Sequence, residues 1–448
     1  RSGKCWVMAV VQLHGKSAGR GSGSDRQSII AALDIGSSKI SCLIAESLPA
    51  KHKMPGGAER KSLKILGLGH QVSRGVRNGS IVDVDQAERA IRLCVDAAER
   101  MAQKAISEVY VNVSGGRPQS TCYSGLIAIE GSGVSPRDID TVISSAVAKI
   151  PASRRTVLHL APIQYQIDDA KGIAAPLGMH GERLAVELGV VTVDSAHLRN
   201  LALAIERAHL QVSSYVIAPY AAGKSVLAED ETVLGTILVE MGGATTGISI
   251  FHEGNLIFAD SIPIGGMHVT HDIARGLSTT VAHAERMKTL WGSALGTSTD
   301  ERDMLSVPLL GERGADTVQK VPRSMLTGII RPRIDEIFEF VADRLNQCPV
   351  AHLGGHRVVL SGGASQLTGV CEVASLWLGR QVRAGIPVPV SGMPDAGRNS
   401  GFSVAAGLLA YGLKPDQHCV IPAQAAASLG QAPQGYIRRV GRWIADSF

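Results

Sequence analysis

Apolar positions follow two rhythms along this chain. Short, nearly unbroken apolar runs at Ile29–Asp34, Ile40–Glu46, Tyr110–Val113, Leu126–Glu130, 157–167 and 184–193 read as strands. Between them apolar residues return every three or four positions. From Asp85 to Ala105 the residues Ile91, Val95, Ala98, Met101 and Ala105 fall on one face, and Asp85 with Glu88 has the spacing of a capping box. Ser135–Pro136 has the form of an N-cap followed by a first-turn proline. A helix from near Ser195 turns Leu198, Leu201, Ala202 and Ile205 inward. Strands alternating with helices predict an α/β fold whose sheets are covered by helices. The 448 residues suffice for about three folding units with a sizeable core. The ends lack this rhythm. Residues 1–28 read as a disordered leader with a Gly/Ser-rich stretch at 15–24, and the start is open between Arg1 and Met8. Residues 414–435, rich in Pro, Gln, Ala and Ser, read as a linker.

One pattern occurs twice. Ile30–Glu46 (IAALDIGSSKISCLIAE) and Ile237–Gly254 (ILVEMGGATTGISIFHEG) each run apolar strand, acidic residue, one spacer, glycine, small-residue turn, second apolar strand. The acidic residues, Asp34 and Glu240, lie 206 positions apart. Two hairpins of one design imply duplicated halves that face each other. Small residues let backbone N–H groups converge on phosphate oxygens, with hydroxyls at Ser37, Ser38, Thr245 and Thr246 and a charge at Lys39 in support. The carboxylates of Asp34 and Glu240 are suited to Mg²⁺ held through water. Taken singly, a hairpin of this kind is more often plain turn chemistry, and it is the two in matching context with a third element that favour the phosphate reading. A third element, Val358–Gly369 (VVLSGGASQLTG), runs a strand into Gly362–Gly363 and then a helix from near Ala364, a design that lets a flat ring approach the backbone. Glu285 and Lys288, at i and i+3 on a helix, can hydrogen-bond a ribose, and a surface ion pair fits the same spacing.

Composition adds limits. No apolar run reaches the roughly 18 residues of a membrane span. The seven cysteines are scattered without a CxxC, which suggests neither a disulfide framework nor a zinc site and fits a reducing compartment. The 14 histidines show no metal-ligand spacing, and His268 with His271 fits surface or partly packed positions. The net charge of +5 sits in the tails: residues 1–28 contribute +4 and residues 414–448 contribute +2, leaving a body near −1. The basic leader lacks interleaved aromatic residues, so nucleic-acid binding is unsupported. The last thirteen residues, YIRRVGRWIADSF, place Ile437, Val440, Ile444 and Phe448 on one helical stripe beside Trp443, with Arg438, Arg439 and Arg442 on or beside the other face. Such a helix is suited to a membrane interface with anionic lipid, and the linker before it favours that over packing on its own domain.

This order of elements resembles the actin/Hsp70/sugar-kinase superfamily, with Ile30–Ile40 as its first phosphate loop, Val239–Gly247 its second, Val358–Gly369 its adenosine motif and Glu285–Lys288 its ribose-contacting pair. Within it the chain is most similar to the FtsA family of bacterial cell-division proteins over about residues 29–413 and again at the C-terminus. Ile106–Gly115, Val157–Ile167, Pro322–Arg333, Gly235–Glu240 and Gly401–Gly412 carry that likeness. The resemblance implies an actin-like two-lobed α/β fold with duplicated sheet-and-helix halves, an inserted FtsA-type subdomain and a C-terminal amphipathic helix. It implies subdomain 1A at 29–106 and 191–222, closed by helix 401–413. The inserted subdomain 1C would be 107–190, subdomain 2A 223–266 and 346–400, subdomain 2B 267–345, and the membrane helix 436–448.

The resemblance further implies ATP with Mg²⁺. Cofactor contacts would come from Asp34, Gly36, Ser37, Ser38, Lys39, Gly242, Gly243, Ala244, Thr245, Glu285, Lys288, Gly362, Gly363 and Gln366. Asp34 and Glu240 would hold the metal through water. The expected partners are the C-terminal tail of FtsZ, further copies of the chain in protofilaments, later divisome membrane proteins and anionic lipid. The expected place is the cytoplasmic face of the inner membrane at the division site. The sequence departs from the family at the second loop, which usually reads Asp-x-Gly-Gly-Gly-Thr with a second Asp two residues on. Here Glu240, Ala244 and Gly247 stand at those positions, and at most slow hydrolysis of ATP is expected. An FtsA-like pilus-assembly protein and a small-molecule kinase of the same superfamily are the alternative readings.

Overall fold

The computed structural model describes residues 28–48, 62–151, 153–311 and 318–413. The expected leader (apart from Ser28), the linker 414–435 and the amphipathic helix 436–448 lie outside the described residues.

The chain begins with strands β1 (Ile29–Ile35), β2 (Lys39–Leu48) and β3 (Ser62–Val72), then a small ribbon of β4 (Val76–Arg77) and β5 (Ser80–Ile81). Helix α1 (Val84–Ala102) and strand β6 (Glu108–Val113) follow. β1 is buried along all but its first residue, as an apolar run covered on both faces must be. Helix α1 is capped two residues earlier than its capping-box spacing suggests. Asp83, not Asp85, is the N-cap and accepts a hydrogen bond from the Gln86 N–H at 3.0 Å. The expected inward face holds at Ile91, Val95 and Ala98, whereas Met101 is exposed and Ala105 lies past the helix end. The helix lies close on β3 because two glycines leave room: a Cβ on Gly69 would stand 2.0 Å from the Cys94 carbonyl oxygen, and one on Gly67 2.2 Å from that of Ala98.

The next strands form a unit of their own, residues 120–195. Strands β7 (Gln119–Ala128), β8 (Arg155–Ile167), β9 (Ala170–Ile173) and β10 (Arg183–Asp194) are ordered β7-β10-β8-β9, with helix α2 (Pro136–Val147) between β7 and β8 in sequence. Val142, Ala146 and Val147 of α2 join Val157, Leu160, Leu184 and Leu188 in one core. The proline start is as expected, and Ser135 and Asp138 cap each other's backbone N–H reciprocally. The unit begins later and ends later than the expected 107–190. β6 does not belong to it but pairs in parallel with β1, Ala32 opposite Tyr110.

Helix α3 (Ser195–Arg207) leads to β11 (Gln211–Ile217) and helices α4 (Ala218–Val226) and α5 (Glu229–Leu234). On α3, Leu198, Leu201 and Ile205 are buried as expected, with Ala204 rather than Ala202 completing the face. The second half carries β12 (Thr236–Met241), β13 (Thr246–His252), β14 (Asn255–Ile262), α6 (Gly266–Gly276), α7 (Val281–Trp291), the antiparallel pair β15 (Met304–Pro308) and β16 (Val318–Pro322), and α8 (Arg323–Gln347). It ends with β17 (Arg357–Ser361), α9 (Val370–Leu378), β18 (Gln381–Ala384) and α10 (Ser403–Leu413). The expected helix near Ala364 is only a 3₁₀ turn, Gly363–Gln366. The α-helix begins at Val370, after Gly369 at φ +82°.

The duplication is visible in the sheets. The first is ordered β3-β2-β1-β6-β11 and the second β14-β13-β12-β17-β18. In both, the first three strands are antiparallel neighbours and the last two add in parallel. The two sheets and the helices just named make up the body of the chain, in which the repeated hairpins occupy the same two strand positions.

Candidate functional site

The two hairpin turns are alike in detail. In the first, the Gly36 N–H donates to the Lys39 carbonyl at 3.0 Å; in the second, the Gly242 N–H donates to the Thr245 carbonyl at 2.8 Å. Asp34 stands opposite Ser41, and Glu240 opposite Gly247, one pair back from the turn in each case. The turns also meet, since a Cβ on Gly243 would lie 2.9 Å from the Ser38 Cβ. Each is held from behind. Asn112, buried in β6, accepts from the Ile35 N–H at 2.7 Å and donates to Ser114 Oγ at 2.8 Å. At the start of α6, the Gly266 and Met267 N–H groups donate to the Gly242 and Gly243 carbonyls at 3.0 and 2.6 Å.

Between them lies a cavity of about 500 Å³. All fourteen residues expected to contact a cofactor line it, as does Glu240. Asp34 and Glu240 are each 7 % exposed. Burial pushes the Asp34 carboxyl up to about 6, against the opposing pull of Lys39 and the Ser41 hydroxyl. Burial and then the charge of Asp34 push Glu240 up to about 8, with Lys39 again opposing. Lys39 is in turn lowered by burial. Among the described residues no group of three or more His, Cys, Asp or Glu side chains could hold a metal ion, so a cation here would keep water in its shell.

The third wall begins where β17 ends. Gly362 has φ +88°, and a Cβ there would stand 2.4 Å from the Met241 carbonyl oxygen and 2.7 Å from Glu240 Oε1, so only glycine fits. At Gly363 a Cβ would meet nothing within 4 Å, leaving the backbone open to the cavity. The pair on α7 is an ion pair at 2.7 Å, but it is tied into the site. Lys288 Nζ also donates to the Gly266 carbonyl at 3.1 Å and to Thr270 Oγ1 at 2.8 Å, and Thr270 Oγ1 donates to Glu285 Oε2 at 2.5 Å. His268 is half-buried and its Nδ1 accepts from the Gly265 N–H, while His271 is exposed.

Several residues at the site escape the sequence reading. Ser114, Gly266 and Met267 line the cavity, as do Ser400, Gly401, Ser403 and Val404 at the head of α10. A signal existed for two of these places: Asn112 is a polar residue inside an apolar strand, and Asn399-Ser400-Gly401 is a turn just before an apolar helix. Thr270 had none.

Two halves of one design closing on a single cavity, with an independent unit inserted between β6 and β11, define an actin-like α/β protein. Comparison with known proteins agrees and narrows the class. The family model "Cell division protein FtsA" matches residues 237–407, and "SHS2 domain inserted in FTSA" matches residues 115–192. The chain is 42% identical over 427 residues to Cell division protein FtsA of Rhizobium meliloti (strain 1021), across 95% of this chain and 96% of that one. It is 31% identical over 432 residues to that of Escherichia coli (strain K12), across 95% and 99%. Among solved structures, the PilM-PilN type IV pilus biogenesis complex shares the fold, with TM-score 0.59 at 14% identity over 86% of this chain and 99% of that chain. The chain belongs to the FtsA family of cell-division proteins. No helix of the described residues is long and apolar enough to cross a membrane.

Proposed function

We propose that this chain binds ATP with Mg²⁺, polymerises, and tethers FtsZ filaments by their C-terminal tails to the cytoplasmic face of the inner membrane at the division site, where it recruits later divisome membrane proteins. The observation that carries the nucleotide reading is the pair of matching turns, each led by a buried carboxylate, that face one cavity with a glycine-lined third wall. About 500 Å³ lies within the range of small-molecule and cofactor pockets. The open backbone at Gly363 fits a flat ring, and two buried carboxyl groups raised by burial, and Glu240 also by Asp34's charge, fit a divalent cation.

Gly36, Ser37, Ser38 and Lys39 with Gly242, Gly243, Ala244 and Thr245 would receive the phosphates. Glu285 and Lys288 would meet the ribose, and Gly362, Gly363 and Gln366 the base side. Asp34 and Glu240 would hold Mg²⁺ through water, and the bound cation would supply positive charge against the phosphate oxygens. Rapid hydrolysis is not expected. A Cβ at Gly247, where the resembled pattern would place a second acid, would press on Pro219 at 3.0 Å, so the strand has little room for a carboxylate there. A turnover near ~10 s⁻¹, ordinary for enzymes, would overturn this part of the reading.

The membrane part rests on the sequence of Tyr436–Phe448, chiefly Ile437, Arg438, Arg439, Val440, Arg442, Trp443, Ile444 and Phe448. A thirteen-residue helix is marginal alone in water, and one such anchor binds weakly, so assembly multiplies its hold by avidity. The test compares the full chain with one ending at Gly435, by co-sedimentation with anionic vesicles and by ATP binding, alongside electron microscopy of the full chain on lipid monolayers with ATP. The shortened chain should lose the vesicles and keep ATP, and the full chain should form filaments on the lipid. Equal sedimentation of both chains refutes the anchor.

A further inference from the structure

Lys39 is the one cationic side chain contributed by either turn, and its position is set from the far end of the sequence. Its ammonium lies over the ring of Phe402, 3.4 Å from the centroid. Phe402 is 6 % exposed, and the His70 ring stands edge-on to it, at 6.4 Å between centroids and 71° between planes. The turn that carries Phe402 is fastened on three sides. Its own N–H donates to the Asn399 carbonyl at 3.0 Å, Asn399 Oδ1 accepts from the Gly401 N–H at 2.9 Å, and Ser400 Oγ donates to the Gly385 carbonyl at 2.9 Å. Gly401 leaves space for the lysine head, because a Cβ there would lie 3.3 Å from Lys39 Nζ. An ammonium on an aromatic face is held by direction-dependent attraction, yet keeps its N–H donors for another acceptor. A carboxylate in the ring's place would neutralise the lysine and use up those donors.

We propose that Phe402 is a positioning residue for the nucleotide phosphates: its ring holds the Lys39 ammonium at the first turn with its donors available to a phosphate oxygen. The inference rests on the ATP reading above. Phe402 acts only through Lys39, so its effect is confined to ligands that carry phosphate. In an unliganded chain a free lysine would sample many rotamers and would have to be ordered at the moment of binding. The ring removes part of that cost beforehand.

The test is competition between a fluorescent ATP analogue and either ATP or adenosine on the full chain, with folding checked by thermal melting. Phe402→Leu should raise the dissociation constant of ATP about fivefold, the scale of one partly desolvated cation–π contact, and leave that of adenosine within twofold. Phe402→Tyr keeps a ring face and should restore ATP binding. In a Lys39→Met chain, Phe402→Leu should have no further effect on ATP. Equal loss for ATP and adenosine, or an undiminished effect in the Lys39→Met background, overturns the proposal and makes Phe402 a packing residue. Should Phe402→Leu fail to fold, the same comparisons with Phe402→Met carry the test. A wild-type chain that binds neither ligand overturns the ATP reading itself, an outcome distinct from the other two.

Discussion

Replacing Glu240 with Gln removes one of two carboxyl groups that the body buries at the same cavity. The wild-type carboxyl titrates at about 8 in the folded chain, against 4.5 for an ordinary glutamate in water. Between these values the folded chain keeps a proton that the unfolded chain has lost, so stability falls by about 1.4 kcal/mol for each pH unit gained. The contribution is fully present below about pH 4.5 and lost as the pH rises through about 8. The total is on the order of 5 kcal/mol. Gln cannot ionise and escapes this loss. Asp34, raised to about 6, adds a smaller loss of the same sign in both proteins. The advantage of Glu240→Gln should therefore be smallest near pH 4.5, grow steadily above it, and be largest at pH 8. For a body of about 300 residues, 1 kcal/mol moves Tm by about 1.5 °C, which gives a gain on the order of 7 °C at pH 8. The assay is thermal melting from pH 5 to 8 with EDTA and without nucleotide. A difference independent of pH, or a variant that loses ground as the pH rises, would refute the reasoning.

Two further substitutions probe separate parts of the chain. Gly362→Ala forces a side chain into a positive-φ position against the Met241 carbonyl and Glu240; it should cost about 1–3 kcal/mol in urea unfolding and weaken binding of a fluorescent ATP analogue. Ser135→Ala removes the hydroxyl half of the cap on α2. It should cost about 1 kcal/mol, seen as faster hydrogen exchange in α2, and leave nucleotide affinity unchanged because Ser135 lies in the inserted unit.

Local chemistry made the site unusually legible. Each turn is written in consecutive residues, Asp34–Lys39 and Glu240–Thr245, and the echo between them marks both at once. Long-range pairing is where pattern falls short. The apolar run of β6 looks like any strand of the neighbouring unit, and only its parallel pairing with β1 assigns it to the body. The cap of α1 is a contest between Asp83 and Asp85, two residues of one type, and backbone conformation decides it: Asp83 is extended and receives the Gln86 N–H. The ion pair of Glu285 and Lys288 follows from helical spacing, whereas its tie to Thr270 and Gly266 depends on how α6 packs on α7. Phe402 under Lys39 could not be read at all, because nothing near either residue in sequence mentions the other.

The matching strand order of the two sheets hides an inequality in how they close. In the second sheet the outermost parallel strand, β18, follows β17 after about 20 residues; in the first, β11 follows β6 only after about 100. For a flexible chain, closing the longer connection costs about 1.4 kcal/mol more. The inserted unit has its own core, and once folded it takes most of that length out of the random walk. The two halves are thus equals in topology but not in entropy, because the first completes its sheet across the length of a separately folded unit, residues 120–195.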